Sequence, residues 1–234
     1  MSFPLPGGFL LVIEGIDGAG KSTQAELVAR VLAARGLDVV RTSEPTNGPW
    51  GQRIRASATA GRMSPEEEVH AFIEDRKQHV AGLIRPGLAA GRVIISDRYY
   101  FSTVAYQGAR GFDPEELMRR NEVFAVEPHL LVVIDLPPEE GLARVGTRDG
   151  RANEFETLNQ LTRSREIFRS LKKPYLRRLD GRVPPEALRD EILFAFGLAA
   201  VERLAGMDGL TPARRLEASL RLHGSAPVGE PSPV

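Results

Sequence analysis

Short apolar runs recur along the chain, and a turn followed by a helical spacing of apolar residues separates each run from the next. Five runs are predicted as strands, at residues 10–14, 38–43, 93–97, 130–135 and 176–180. The run at 93–97 is almost continuously apolar, which is typical of a strand covered on both faces. Because strands alternate with helices, the pattern predicts a five-stranded parallel sheet with right-handed crossovers and helices on both faces.

The segments between the predicted strands carry helix start and stop signals. A helix is expected directly after the first strand and its glycine-rich turn, and residues 51–60 are weakly helical. A capping box at residues 64–67, with proline at the first helical position, predicts a long helix that ends near residue 85, where Pro86 disturbs it. Further helices are expected after residues 113 and 138, near 154, and from 185 to 204.

The length of 234 residues suits one α/β domain, expected at residues 9–204. Residues 1–8 form a lead, residues 205–234 an extension, and the glycine- and proline-rich tail from about 224 is expected to be disordered.

Composition excludes several classes of function. Lys+Arg and Asp+Glu both number 31, so no global field steers the protein onto nucleic acid or a membrane. With no cysteine, disulfides, a thiolate nucleophile and cysteine-ligated metals are excluded. The beginning of the chain lacks the basic and apolar segments of a signal peptide, and no run approaches membrane-spanning length. We therefore expect a cytoplasmic protein with small-molecule partners, without nucleic acid or membrane.

A glycine-rich turn joins the first strand to the first helix and fits the spacing G-x-x-x-x-G-K-[ST] from Gly15 to Ser22. In such a phosphate-binding loop, backbone N–H groups cradle phosphates, the lysine reaches the outer phosphates, and the hydroxyl meets Mg²⁺. An ordinary glycine-rich turn is the alternative, but the strand before and the helix after favour nucleotide binding. The expected ATP-binding residues are Gly15, Ile16, Asp17, Gly18, Ala19, Gly20, Lys21, Ser22 and Thr23.

Polar residues also follow the second and third predicted strands. Glu44 comes after the second strand, and Asp97 and Arg98 after the third. Because ligands of open α/β sheets bind at the carboxyl ends of the strands, these residues should converge with the phosphate loop on one cleft. Ser22 and Asp97 are the expected metal site, and Arg98 would bridge two phosphates. A basic, flexible loop at about 144–156 would close over them. The alternatives are a surface salt bridge for Arg98 and a solvated basic turn for the loop.

Two segments of the chain closely resemble thymidylate kinases. The first is residues 14–24, which contains the phosphate loop. The second is Asp97-Arg98-Tyr99 followed by residues 102–108, with the spacing D-R-Y-x-x-S-[ST]-x-A-Y-Q. The second segment is the more specific, because many NTPases share the phosphate loop. The resemblance covers residues 9–204 and implies a three-layer P-loop NTPase fold.

The activity implied by this resemblance is transfer of the γ-phosphate of ATP to dTMP, with Mg²⁺, giving dTDP and ADP for dTTP synthesis by a homodimer. Asp17 would accept from the 3′-hydroxyl, Phe72 would stack on thymine, and Arg76 would read the carbonyl edge of the base. Phe72 and Arg76 lie four apart, so they share one helix face. Without the resemblance, Phe72 would be assigned to the core. The implied dTMP-binding residues are Asp17, Glu44, Phe72, Arg76, Arg98, Thr103, Tyr106 and Gln107.

Catalytic roles are implied for Lys21, Arg98 and a lid arginine, since Gly18 and Ala19 leave the phosphate loop without one. The lid candidates are Arg148 and Arg151.

The chain also departs from the family pattern. Ser43 stands where relatives often carry an arginine, so Arg53 or Arg55 is expected to replace the missing charge, with Arg53 favoured. A kinase of another nucleotide or nucleoside, and a nucleotide-binding regulatory protein without phosphoryl transfer, are the competing hypotheses.

Overall fold

A five-stranded parallel sheet forms the centre of the protein in the computed structural model, which describes residues 2–61, 63–149 and 154–222. The strands are β1 (Phe9–Glu14), β2 (Val39–Ser43), β3 (Val93–Asp97), β4 (Leu130–Asp135) and β5 (Leu176–Asp180). Their order in the sheet is β2-β3-β1-β4-β5, and every pair is parallel. The fold class predicted from the alternation of strands and helices is confirmed.

The helices cover the two faces of this sheet. They are α1 (Lys21–Ala34), α2 (Pro49–Ala60), α3 (Pro65–His79), α4 (Arg85–Ala89), α5 (Tyr100–Gly108), α6 (Pro114–Glu122), α7 (Pro138–Asp149), α8 (Glu154–Ser170), α9 (Pro185–Ala205) and α10 (Pro212–Leu222). A π-helical turn, Val80–Ile84, joins α3 to α4.

The site is positioned by the central strand, β1, which lies between β3 and β4. Ile13 pairs with Asp97 in the parallel register, so the chain leaves β1 and β3 side by side. Strand order reverses at this point, which is where open α/β sheets form their ligand crevice.

The long helix predicted to end near residue 85 is interrupted differently. The α3 helix ends at His79, and the π-helical turn carries the chain into α4 without a break. Pro86 cannot donate to the preceding turn, and it lies directly after the π-helical turn, where Arg85 N donates five residues back to Val80 O. The predicted capping box is present, since the Ser64 hydroxyl accepts from Glu67 N and the Glu67 carboxylate accepts from Ser64 N.

Both ends of the described chain lie against the sheet domain. Phe3 bridges to Leu37, and Leu5 is buried. The α10 helix was not predicted; it contacts α9 and buries Ala218 and Leu222. The expected disordered tail lies outside the described residues. Among the helices that are described, none combines the length and apolar character needed to cross a membrane.

Candidate functional site

The loop between β1 and α1 has the backbone geometry that its glycines permit. Gly15, Gly18 and Gly20 all have positive φ, at 145°, 80° and 94°. A Cβ atom on Gly18 would lie 2.2 Å from the carbonyl oxygen of Gly141, and one on Gly15 would lie 2.5 Å from that of Ile134. The loop therefore approaches the backbones of α7 and β4 too closely for a side chain at either position.

A cavity of about 590 Å³, here called the phosphate-loop cavity, is lined by every residue from Asp17 to Gln24. The α1 helix begins here with no side chain capping it, so its first N–H groups are available to an anion. Lys21 is buried and its Nζ donates to Ile16 O at 2.8 Å. Burial, together with the like charge of Arg98, lowers the pKa of Lys21 to about 8. A bound polyphosphate would reverse this effect by supplying negative charge.

Ser22 and Asp97 meet at the floor of this cavity. The Ser22 hydroxyl donates to Asp97 Oδ2, whereas Asp97 Oδ1 is buried without a hydrogen-bond partner. Residues 2–61, 63–149 and 154–222 contain no cluster of three or more His, Cys, Asp or Glu side chains suited to a metal ion. The unpartnered Asp97 oxygen and the Ser22 hydroxyl fit Mg²⁺, which usually takes one or two protein ligands and completes its shell with substrate phosphate and water.

A second cavity, of about 660 Å³ and here called the central cavity, opens beside the first. Its wall combines side chains from the phosphate loop, the β2–α2 connection, α2, α3, the β3–α5 connection, α5 and α8. All eight side chains that the family resemblance implied for dTMP lie in this wall: Asp17, Glu44, Phe72, Arg76, Arg98, Thr103, Tyr106 and Gln107. The structure thus brings them together around one space, and the ligand of that space stays a prediction.

Phe72 is half-buried and faces the central cavity, with its neighbours Ala71 and Ile73 buried on either side. Its apolar ring is therefore available as one wall for a planar ligand. Arg76 lies one turn further along α3 and borders the same cavity, as the four-residue spacing predicted.

Arg76 is held in a buried polar network. It is 1% exposed, and its Nε and Nη2 lie 2.8 and 2.7 Å from Glu44 Oε2. Nη2 also donates to Thr103 Oγ1 at 3.0 Å, and Nη1 donates to Asn121. The second oxygen of Glu44 lies 2.9 Å from His79 Nδ1. Glu44 therefore fixes the plane of the guanidinium, and most of the Arg76 donors are engaged by protein.

Arg98 stands between the two cavities and lines both of them, as does Asp17. The two side chains form an ion pair, and the Arg98 guanidinium lies over the Tyr106 ring at 5.2 Å from its centroid. Burial acts to raise the pKa of Asp17, but the charges of Arg98 and Lys21 outweigh it, so the pKa lies below its ordinary value. Asp17 is thus ionised at neutral pH.

Glu14 was missed by the sequence analysis. It is fully buried, and its carboxylate accepts hydrogen bonds from Tyr99 N at 2.7 Å and from Ser102 N at 3.0 Å and Oγ at 2.6 Å. Burial raises the pKa of Glu14 to about 7, although these bonds and the charges of Arg98 and Lys21 oppose the shift. An acidic residue ending an otherwise apolar strand was the available signal.

The cation expected to replace the family arginine at Ser43 stays a prediction, and the structure describes the surroundings of both candidates. Arg53 lies over the Trp50 ring, 5.4 Å from its centroid, and is not part of the central cavity wall. Arg55 is part of that wall and donates to Pro45 O at 2.8 Å and Asn47 Oδ1 at 3.1 Å. The geometry therefore favours Arg55, because it is tied to the segment that carries Ser43.

The basic loop predicted at about 144–156 is largely helical where it is described. The α7 helix extends to Asp149 and α8 begins at Glu154. Arg144 lies on α7 rather than in a loop, and it donates to Gly181 O at 3.1 Å. The side chain of Arg148 and the whole of Arg151 lie outside the described residues, so the assignment of a lid arginine stays a prediction.

Comparison with known proteins agrees with this geometry. The sequence profile of the thymidylate kinase family matches residues 13–192. A thymidylate kinase of Xanthomonas euvesicatoria pv. vesicatoria (strain 85-10) is 47% identical over 201 residues, which cover 86% of this chain and 88% of the relative. A thymidylate kinase of Xanthomonas oryzae pv. oryzae (strain PXO99A) is 45% identical over 217 residues, covering 93% and 94%. That of Xylella fastidiosa (strain M12) is 45% identical over 213 residues, covering 86% and 98%.

The match extends over the phosphate loop, the wall of the central cavity and most of the sheet that carries them. Shared sequence of this extent and the two adjoining cavities lead to one assignment, that this chain belongs to the thymidylate kinase family.

Proposed function

We propose that the protein transfers the γ-phosphoryl group of ATP to dTMP, giving dTDP and ADP. The observation that carries this proposal is the position of Asp17 and Arg98, which line both cavities. A nucleotide in each cavity would bring its terminal phosphate to this shared wall. Phosphoryl transfer depends mainly on such positioning and on cations at the transferring group.

On the donor side, the N–H groups of residues 15–23 hold the ATP phosphates and Lys21 stabilises the negative charge of the transferring group. Arg98 reaches the same group from the acceptor side. Arg148 or Arg151 supplies the further positive charge that Gly18 and Ala19 cannot.

Ser22 and Asp97 are the residues that would hold Mg²⁺, which when bound neutralises phosphate charge. The Asp97 carboxylate keeps one buried oxygen unpaired for this purpose, and the short Ser22 side chain brings its hydroxyl to the other.

On the acceptor side, Phe72 stacks on the base and Arg76 donates to its carbonyl edge. Thr103 and Gln107 complete the contacts around the base. The Tyr106 ring crowds the sugar at the 2′ position, so a ribose hydroxyl would be excluded by volume and left unpaired. Asp17 accepts from the 3′-hydroxyl, which its ionised carboxylate is suited to do.

The test is an ADP-release assay with ATP and Mg²⁺ and a panel of acceptors: dTMP, dUMP, dCMP, dGMP, dAMP, TMP with a ribose, and thymidine. We expect dTMP to be the best acceptor, dUMP to be weaker, and ribo-TMP and thymidine to be inactive. A different preferred nucleotide would favour another nucleoside monophosphate kinase. No transfer to any acceptor, with ATP still bound, would favour the regulatory alternative and overturn the proposal.

We also propose that the protein acts as a cytoplasmic homodimer in dTTP synthesis, which rests on the family resemblance. Light scattering coupled to size exclusion tests this point, because a monomer at micromolar concentration would contradict it.

A further inference from the structure

Glu14 is a carboxylate in a place where a charge is costly. It is the last residue of β1, directly before the phosphate loop, and it is fully buried. The rest of β1 is apolar. An ionised side chain in such a site must be compensated by hydrogen bonds or opposite charges. Glu14 does not line either cavity, so its compensation comes from protein groups.

Its partners belong to the start of α5. The first N–H groups of a helix have no acceptor within the helix. Tyr99 is the N-cap of α5, and its own side chain does not cap the helix. Glu14 provides this cap from a neighbouring strand, since one carboxylate oxygen accepts from Tyr99 N at 2.7 Å and from Ser102 N at 3.0 Å.

Directly before the segment held in this way, Arg98 adopts an unfavourable backbone conformation. Among the described residues, Arg98 is the only one other than glycine with positive φ, at 72°. This conformation costs a side-chain-bearing residue of order 1 kcal/mol or more. Its N–H donates to Ile13 O at 3.0 Å and its carbonyl accepts from Ser96 Oγ at 2.7 Å. The hydrogen bonds to Glu14 hold the residues that follow Arg98, at the start of α5.

Two successive side-chain hydrogen bonds connect Arg98 to Glu14 through Ser102. Arg98 Nη1 donates to Ser102 Oγ at 3.2 Å, and the Ser102 hydroxyl donates to Glu14 Oε2 at 2.6 Å. The charged groups facing Glu14 are Arg98 and Lys21, both positive. Glu14 thus connects the strand that ends in the phosphate loop to the arginine shared by both cavities.

We propose that Glu14 is a positioning residue, which fixes the Arg98 side chain relative to the phosphate loop and thereby aligns donor and acceptor phosphates. This role rests on the proposed phosphoryl transfer. Glu14 acts through Ser102 and Arg98 rather than by touching either nucleotide.

The test is a double-mutant cycle on turnover with Glu14→Gln and Arg98→Ala. The glutamine keeps the volume and one oxygen for the backbone amides, but it removes the negative charge and the acceptor of the Ser102 hydroxyl. We expect Glu14→Gln to lower kcat about 10- to 100-fold, because small misplacement of a reacting group has effects of that size. ATP affinity, measured by calorimetry, should change less than about twofold, since the phosphate loop is untouched.

The decisive result is whether the effects of Glu14→Gln and Arg98→Ala on kcat depend on each other. If Glu14 acts through Arg98, Glu14→Gln should lower kcat no further in an Arg98→Ala background. Arg144→Ala is the control, because Arg144 donates to Gly18 O and Gly181 O rather than belonging to the Glu14–Ser102–Arg98 series, so its effect should multiply with that of Glu14→Gln. Wild-type kcat in Glu14→Gln, or the same fold-loss with and without Arg98, would overturn the proposal.

Two precautions keep the result interpretable. If Glu14→Gln fails to fold, Ser102→Ala takes its place in the same cycle, with a smaller loss and the same non-additivity expected. The cycle is run with whichever acceptor the wild-type enzyme prefers. A failure of the dTMP assignment is therefore separate from a failure of the positioning role.

Discussion

The two cavities are built in different ways. In the phosphate-loop cavity, one continuous segment supplies the backbone N–H groups for an anion and Lys21, and three glycines with positive φ set its geometry. The central cavity takes its side chains from parts of the chain that are far apart in sequence, from the phosphate loop to α8, and a buried network holds Arg76 in its wall. The phosphate-binding backbone of the first cavity is therefore set by local sequence, whereas the wall of the second forms only in the folded protein.

This difference predicts which substitutions separate function from stability. A side chain at the phosphate-loop cavity serves the ligand, so its loss should spare the fold. A side chain in the buried network of the central cavity serves both, so its loss should affect both.

The largest effect is expected at Arg76. Replacement Arg76→Ala leaves Glu44 buried without its cation, which should lower the free energy of unfolding by about 3–5 kcal/mol. Binding of dTMP should weaken as well, by about 1–3 kcal/mol for a lost charged hydrogen bond. Urea denaturation measures the free energy of unfolding, and calorimetry measures dTMP binding. The matched control is Arg119→Ala, which removes an exposed arginine paired with Glu116 and should leave both quantities nearly unchanged. Equal stability of the two variants would contradict the prediction that the buried network around Arg76 stabilises the fold.

Lys21 should show the opposite pattern. Lys21→Ala is expected to lower kcat by roughly 10²–10³-fold, because it removes a cation from the transferring group, with a smaller effect on ATP affinity. Stability should be unchanged or slightly increased, since burial already disfavours the charged form of this lysine. Lys172→Ala, at an exposed position, is the control. Turnover close to that of the wild type would exclude the phosphate-loop mechanism. A large loss of stability would contradict the expectation that Lys21, unlike Arg76, serves the ligand and not the fold.

Glu14 lies where the two regions join, and its pKa predicts a pH effect. The folded state raises this pKa from 4.5 to about 7, so folding favours the protonated form. Its contribution to stability is fully present below pH 4.5 and is lost as the pH rises through 7. Relative to Glu14→Gln, the wild type should therefore lose stability between pH 4.5 and 7, on the order of 3 kcal/mol in total. Urea titrations of both proteins at several pH values test this, and a constant difference would contradict the shift.

The smallest effect concerns the acceptor phosphate. Arg55→Ala should weaken dTMP binding by about 1.5–3 kcal/mol, the range for a hydrogen bond to a charged group, while thymidine binding stays the same. Arg53→Ala is the control, because Arg53 lies against Trp50 outside the central cavity wall. If neither variant separates dTMP from thymidine, Arg98 alone holds the acceptor phosphate and no other arginine replaces the charge at Ser43.

Some features could be predicted because they depend on short stretches of sequence. The sheet followed from the alternation of apolar runs and helical stripes, and the capping box at Ser64 was readable from residue types alone. The family resemblance supplied eight of the residues that line the central cavity. The π-helical turn at Val80–Ile84 was not predicted, because it has no local signal as distinct as a cap. The α10 helix was missed although Thr211 and Pro212 are a helix-start signal, and the Thr211 hydroxyl accepts from Arg214 N at 3.4 Å.

Other features depended on contacts between distant residues. Phe72 is apolar and spaced along α3 like a core residue. That it faces a cavity depends on how the elements around α3 pack. Arg53 and Arg55 are two apart on one helix, and the fold alone determines which of them reaches the cavity. Arg144 was expected in a loop, but α7 extends far enough to include it.

The sequence by itself determined the strand–loop–helix unit that holds phosphates, because glycine conformations and unpaired helix N–H groups are properties of a few adjacent residues. Only the tertiary structure decided the partners of Glu14, Glu44 and Arg98. A buried charge is tolerated where distant groups supply its hydrogen bonds, and those groups come together only when the sheet has formed.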